Sequence, residues 1–336
     1  MTATNTQTRV AVLGAGAVGS YFGGMLARSG VQVTLIGRAA HVEAIRANAL
    51  FLDTVSFQER VAVNASRETS AVRDADVILF SVKTTDTEDA ARSLKPYLAP
   101  DALVVSLQNG VDNIPRIRAA SGIDALAAVV YIAAAMPEPG HVKHSGGGSL
   151  AVGEFPDRDG SSPSCAWSPA SRADRAERIA ALFTAVGVPC RVSPDIEADL
   201  WSKFVMNCAG NAVTGITQIS YAHLAHSAVT RDIFSQVIAE TVAVGRASGV
   251  KMPEVDFLSL GLQFLQGVGS DATSSTAQDL ARGKRTEIDS LNGYVVRGGK
   301  QLGIPTPANL VLFALVKLLE EKAIEQRPAS SQKAST

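Results

Sequence analysis

Residues 8–36 read TRVAVLGAGAVGSYFGGMLARSGVQVTLI, and their pattern decides the fold of the first half of the chain. The apolar run 10–13 meets Gly14-Ala15-Gly16-Ala17-Val18-Gly19. A helical pattern follows, then Gly30, then a second apolar run ending at Ile36. This is strand, glycine turn, helix, strand, the opening of a dinucleotide-binding unit. In that reading Gly14 permits the tight turn, Gly16 lets the backbone approach a pyrophosphate, and Gly19 lets helix and strand pack closely. Ala15, Ala17 and Val18 complete the turn, where the positive end of the helix faces the phosphates.

The end of the second strand selects the cofactor. A carboxylate there would hold the ribose hydroxyls of NAD; this chain has Gly37-Arg38. An arginine pairs with the 2′-phosphate of NADP, so the sequence favours NADPH over NADH.

The pattern outside this stretch places the unit in a larger frame. A chain of 336 residues has room for two domains, and 46% apolar residues supply a sizeable core. Lys plus Arg total 31 and Asp plus Glu 32, a net charge of −1, which gives no basic excess for nucleic acid or an anionic membrane. Cys165, Cys190 and Cys208 form neither a zinc pattern nor a disulfide framework, which suits a reducing cytoplasm. Residues 1–8 are polar, without an apolar signal core. The longest apolar run, 125–136, stops at Pro137 and reads as a buried strand, not a membrane span.

Further strands are expected at 61–63, 77–82, 103–107 and 127–132, with a helix at 87–98 among them. Several of these runs are apolar throughout, as in a parallel sheet covered on both faces. The first domain is therefore expected to be a doubly wound α/β domain over 1–193. Within it, 141–153 reads as a hairpin or β extension, 157–172 as an exposed Ser/Pro-rich loop, 175–186 as a helix and 188–192 as a late strand. Beyond Pro194, helices are expected at 197–211, 227–248, 257–267, 276–302 and 308–325. That makes an all-helical second domain over 194–326, followed by a polar tail, 327–336.

Three places could carry chemistry. Lys203, Asn207 and Asn211, spaced by four, form one stripe of a helix whose other side carries Trp201, Phe204, Val205 and Cys208. An exposed face would also be polar, but asparagine is a poor helix former and makes better sense as a hydrogen-bonding group. Residues 285–293, RTEIDSLNG, concentrate polar groups inside a helical pattern, and Glu287 could pair with Lys203 if the helices meet. The bland alternative is a surface ion-pair helix. Ser274-Ser275-Thr276 could bind a carboxylate or cap a helix. Lys83 and Asn109 follow strands 77–82 and 103–107, at the carboxyl ends where open α/β sheets bind ligands. His41, His141, His144, His223 and His226 are scattered, with no partners suggesting a metal.

GAGAVG, SVKT, QNG, LWSKFVMNCAGN, SSTAQD and TEIDSLNG occur in the order found in the ketopantoate reductase (2-dehydropantoate 2-reductase) family, and the chain resembles that family from near its start to about Pro307. The resemblance implies a Rossmann domain followed by an all-α domain like the C-terminal domain of 6-phosphogluconate dehydrogenase, with the active site in the cleft between. By motif, Lys203 resembles the catalytic lysine and Glu287 the family's acid near substrate and cofactor. Asn109 resembles the asparagine near nicotinamide and substrate. Asn207, Asn211 and Ser275 resemble substrate contacts, and Arg38 and Lys83 the basic cofactor contacts. The implied activity is NADPH-dependent reduction of ketopantoate to pantoate in pantothenate synthesis, by an enzyme acting on a small 2-oxo acid, with a homodimer possible. Related D-2-hydroxyacid dehydrogenases, and a non-catalytic NADP(H) sensor, are the alternatives. Two features depart from the pattern: the 157–172 stretch, and Asp86 just after Lys83-Thr84-Thr85.

Overall fold

The computed structural model describes residues 8–157, 169–267 and 272–326. It divides into two compact units, Met1–Leu200 and Trp201–Thr336.

In the first unit β1 (Arg9–Leu13) leads through the glycine turn into α1 (Ala17–Arg28) and β2 (Gln32–Ile36). The strands β5 (Asn64–Ser66), β6 (Val77–Phe80), β7 (Leu103–Ser106) and β8 (Leu126–Ala135) complete a parallel set in the order β5-β2-β1-β6-β7-β8. This is the doubly wound order, and it reverses at β1 and β6, where the ligand crevice of such sheets lies. All four residues of β6 and of β7 are buried, which is why their apolar runs are continuous. The helices α2 (Ala39–Asn48), α3 (Thr87–Leu94) and α4 (Asn113–Ser121) connect them.

The sheet carries additions that periodicity did not resolve. Val61, expected in the parallel set, ends β4 (Gln58–Val61), which pairs antiparallel with β3 (Leu50–Asp53). Thr54 closes their turn, its Oγ1 donating to the Phe57 carbonyl at 2.8 Å and accepting the Phe57 N–H at 2.9 Å. The third parallel strand is instead the short β5. Residues 141–153 form one strand, β9 (His141–Gly153), antiparallel to β8 and parallel to β3 and to β10 (Cys190–Val192). The helix expected from 175 begins earlier, as α5 (Pro169–Ala185), with proline in its first turn, where no backbone donor is needed. Of the 157–172 loop, residues 158–168 lie outside the described residues. The α3 helix is also shorter than expected and gives way to a 3-10 turn at 95–97.

The chain crosses into the second unit within α6 (Ile196–Thr217), six residues longer at its end than the pattern suggested. Then come α7 (Tyr221–His226), α8 (Ala228–Ala247), α9 (Phe257–Gly267), α10 (Ser275–Ala281), α11 (Asn292–Leu302) and α12 (Pro307–Glu325). No strand lies among the described residues of this unit. The single helix expected over 276–302 is broken. Gly283, at φ +60°, ends α10: its N–H donates to the Leu280 carbonyl and the Lys284 N–H to that of Asp279, a Schellman closure. A 3-10 turn over 288–290 then precedes α11. That break places Glu287 on an irregular segment instead of a helix face.

Candidate functional site

In the first unit the turn after β1 is held from three sides. The Gly14 and Ala15 N–H groups both donate to the Ile36 carbonyl, at 3.0 and 2.9 Å, and Ser81 Oγ donates to the Gly14 carbonyl at 2.8 Å. Gly14 sits at φ +99°, and a Cβ there would lie 2.5 Å from the Val82 nitrogen. At Gly19 a Cβ would collide with Ser81 Oγ and lie 2.7 Å from the Gly14 carbonyl oxygen. Gly16 differs: it is exposed, and a Cβ there would meet no described atom within 4 Å. The protein itself does not need glycine at 16, so the open space beside it fits a ligand that must approach the backbone. Ala17, Val18 and Gly19 form the first turn of α1, whose N–H groups have no intrahelical acceptors. No acidic residue stands in that turn to repel a phosphate.

Arg38 is exposed and precedes α2 just beyond the end of β2. The Gly37 N–H donates to the Ser66 carbonyl at 3.0 Å, continuing the β2–β5 ladder, so exposed Arg67 follows next to Gly37. Sequence reasoning missed Arg67 because it missed β5. Lys83 is exposed and Asn109 half-buried. Their loops are tied together by Gln108, whose Nε2 donates to the Val82 carbonyl at 3.1 Å and to Thr87 Oγ1 at 2.8 Å. Asn113 Nδ2 donates to the Asn109 carbonyl at 2.6 Å. Asp86 is exposed and accepts from Thr85 Oγ1 at 3.0 Å. A small pocket beside this network is lined by Ser106, Gln108, Gly110 and Asn113.

In the second unit α6 buries Trp201, Phe204, Val205 and Cys208. Tyr294 packs edge-on to both Trp201 and Phe204, at centroid distances of 6.0 and 5.8 Å. The opposite stripe is not a solvated face: Lys203 and Asn207 are half-buried and Asn211 is buried. Burial lowers the pKa of Lys203 to about 8, while the charge of Glu287, itself buried, acts to raise it. The structure thus brings Lys203 and Glu287 into electrostatic reach of each other.

Asn211 is held more firmly than a pure ligand contact requires. Its Oδ1 accepts from Tyr221 Oη at 3.1 Å, and its carbonyl accepts from Ser274 Oγ at 3.2 Å. Ser274, not Ser275, caps α10, accepting the Ala277 N–H at 3.0 Å. Ser275 is the exposed first residue of that helix. Asn292 is fully buried, and its Nδ2 donates to the Cys208 carbonyl and to Asn309 Oδ1, both at 3.0 Å, which fixes α11 to α6 and α12. Sequence reasoning passed over Glu320. A Lys317–Glu320 pair at i, i+3 reads as a surface ion pair, yet Glu320 is buried and accepts from Thr286, the residue before Glu287. Among the described residues no group of His, Cys, Asp or Glu is assembled for a metal, and no helix is long and apolar enough to cross a membrane.

A nucleotide-binding turn of this kind, followed by a helical unit in which a buried carboxylate acts on a half-buried lysine, describes a class of two-unit nicotinamide-dependent oxidoreductases. Comparison with known proteins narrows the class. The family model for ketopantoate reductase PanE/ApbA matches residues 10–157, and that for its C-terminal domain matches residues 195–320. The chain is 30% identical over 313 residues to the 2-dehydropantoate 2-reductase of Pyrococcus horikoshii, covering 93% of this chain and 97% of that one. A PanE/ApbA family ketopantoate reductase from Ralstonia eutropha JMP134 has 47% identity and a TM-score of 0.83, over 94% of this chain and all of that one. D-mandelate dehydrogenase, in a ternary structure with NADH and anilino(oxo)acetate, shares the fold at 24% identity and a TM-score of 0.83, over 94% of this chain and 100% of that one. The chain belongs to the ketopantoate reductase PanE/ApbA family.

Proposed function

We propose that this protein is a 2-dehydropantoate 2-reductase that uses NADPH to reduce ketopantoate to pantoate. The observation that carries this reading is a half-buried Lys203 under the charge of buried Glu287 in a chain of this family. The turn at Gly14, Gly16 and Gly19 would hold the pyrophosphate, Arg38 would pair with the 2′-phosphate, Lys83 would reach a phosphate or ribose, and Asn109 would lie on the nicotinamide side. The bound cofactor supplies the hydride that reduces C2 of the substrate.

Reduction at C2 would place negative charge on the substrate carbonyl oxygen. The Lys203 ammonium hydrogen-bonds that oxygen and donates the proton that makes it a hydroxyl. A lysine at its ordinary pKa would hold its proton too tightly; burial brings Lys203 into the range where donation and re-protonation both proceed near neutral pH. Glu287 keeps the lysine charged and orients it. Asn207 and the Asn211 amide hydrogen-bond the substrate hydroxyl, and Ser275 its carboxylate. A site that satisfies a substrate hydroxyl discriminates against 2-oxo acids that lack one.

The test is NADPH oxidation by purified protein with ketopantoate, beside pyruvate, 2-oxoisovalerate and oxaloacetate, each repeated with NADH. Preference for ketopantoate with NADPH is expected, and Arg38→Ala should erode the preference for NADPH without touching that for ketopantoate. Faster reduction of another 2-oxo acid would move the protein to the related D-2-hydroxyacid dehydrogenase reading, and cofactor binding without turnover would make it a sensor. The assembly proposed is a homodimer through α12, whose Val311, Leu315 and Leu318 remain exposed on one face. Light scattering reads it, and a monomeric mass removes it.

A further inference from the structure

Glu287 sits on the irregular segment between α10 and α11, where no helix fixes its direction. The residues on either side of it are gripped from α12. Glu320 Oε1 accepts both the N–H and the Oγ1–H of Thr286, each at 2.6 Å. Glu320 Oε2 accepts from Lys317 Nζ at 3.0 Å, and the same ammonium donates to Asp289 Oδ2 at 3.0 Å. Thr286 Oγ1 in turn accepts the Ile288 N–H at 3.1 Å. The grip therefore closes at 286 and at 289, with Glu287 between. Glu320 is only 4% exposed, and a carboxylate is tolerated there because each oxygen has a donor.

We propose that Glu320, braced by Lys317, is a positioning residue for the active site: its hold on Thr286 aims the Glu287 carboxylate at Lys203. Glu320 touches neither substrate nor cofactor in this scheme and acts only through Glu287. Without the grip, residues 285–290 relax and Glu287 withdraws, so Lys203 loses the attraction that opposes burial. The charged groups around the segment are exposed Arg285, Asp289, Arg297, whose guanidinium donates to the Asp289 carbonyl at 2.8 Å, Lys317 and Glu320 itself; Glu287 is the one whose charge acts on Lys203. The inference rests on the Lys203–Glu287 reading of the active site, so its test is read on Lys203 directly and not on turnover.

The experiment is a pH titration of Lys203 by NMR in full-length protein labelled with 13C at lysine Cε, with the resonance assigned by Lys203→Arg. Glu287→Gln and Glu320→Ala should each move the Lys203 midpoint down by about half a pH unit or more. The double variant should move it no further than Glu287→Gln alone, because both changes remove one interaction. Glu320→Gln keeps an oxygen for Thr286 and should stay near wild type, which separates aim from simple loss of charge. Where Glu320→Ala does not fold, Thr286→Val, which deletes one of the two donors, should give an intermediate shift. A Glu320→Ala or Thr286→Val protein with a lowered Tm and an unmoved Lys203 midpoint overturns the proposal, as do additive shifts in the double variant. The activity reading fails separately, if Lys203→Ala still reduces 2-oxo acids at a normal rate.

Discussion

The carboxylate of Glu287 and the burial of Lys203 act on the same ammonium in opposite senses, and burial wins, leaving the lysine at a pKa of about 8. A proton donor with that value is charged at neutral pH and loses its proton above it. For reduction, kcat/KM is therefore expected to be level below pH 8 and to fall about tenfold per pH unit well above it. Lys203→Ala should lower turnover by ~10²–10⁴-fold and leave NADPH binding intact. A flat profile from pH 7 to 9.5 removes Lys203 from the chemistry.

The same displacement has a consequence for stability. The folded pKa lies below that of the unfolded chain, so between pH 8 and 10.5 the unfolded state binds more protons and stability rises with pH. Below pH 8 the whole penalty is present, on the order of 3 kcal/mol for a shift of this size. Lys203→Met, similar in length and without charge, is expected to be inactive yet more resistant to urea at pH 7 than wild type, with the gain fading toward pH 10. A variant that is both inactive and less stable at pH 7 contradicts this account.

Gly16 and Gly19 separate cofactor binding from folding. A Cβ at 19 runs into Ser81 and the Gly14 carbonyl, whereas at 16 it enters open space. Gly19→Ala should destabilise the first unit by a few kcal/mol, in the range of overpacked sites. Gly16→Ala should leave the thermal midpoint of the apoprotein within about a degree and weaken NADPH binding at least tenfold. Calorimetric titration with NADPH checks both. Unimpaired binding by Gly16→Ala would mean that the phosphates lie elsewhere.

The glycine turn was legible because every device in it is local: strand, turn and helix are consecutive, and the spacing states its own geometry. The stripe Lys203, Asn207, Asn211 was legible for the same reason, since i, i+4 spacing on a helix fixes a face. What escaped depends on pairing across distance. β5 has only three residues and owes its existence to the β2 edge. Glu320 was passed over because nothing in its local pattern marks it, and its contact with Thr286 spans 34 positions. The break at Gly283 was missed because the polar periodicity on both sides continues through it, and the one residue that ends the helix does so by its backbone angle.

Asp124 anchors the flank of the first unit. Its Oδ2 accepts from Arg175 Nη1 at 2.8 Å, its Oδ1 from Arg118 Nη2 at 3.1 Å, and its carbonyl from Arg175 Nη2 at 2.8 Å. Both guanidinium groups are nearly inaccessible, and their charge holds the Asp124 pKa below the usual carboxylate value despite burial, which acts to raise it. Without Asp124 each guanidinium keeps one more distant acid, Arg118 with Asp157 at 3.3 Å and Arg175 with Glu154 at 3.5 Å, so the loss falls toward the lower end of the ~3–5 kcal/mol range for breaking a buried ion pair. Asp124→Ala should lose stability on that scale, whereas Asp89→Ala, which breaks the exposed pair with Arg92, should lose under ~1 kcal/mol. Urea unfolding of the two variants gives the comparison, and equal losses would show that burial is not what makes the cluster matter.

His41 gives the first unit an acid limit. The ring is buried, its Nδ1 accepts the Gly140 N–H at 2.9 Å, and its Nε2 lies 3.1 Å from Ser20 Oγ. An accepting Nδ1 carries no proton, so the neutral ring bears its hydrogen on Nε2 and donates it to Ser20. Protonation puts a hydrogen where Gly140 must donate, and burial already lowers the pKa from its usual value. With the folded pKa depressed, the unfolded chain takes up the proton first as pH falls through about 6.5, and stability declines from there until the folded ring titrates too. His41→Gln is expected to have a lower Tm than wild type at pH 7.5 and a shallower loss of Tm between pH 6.5 and 5. Since the other four histidines are common to both proteins, parallel Tm curves would assign the acid limit to one of them instead.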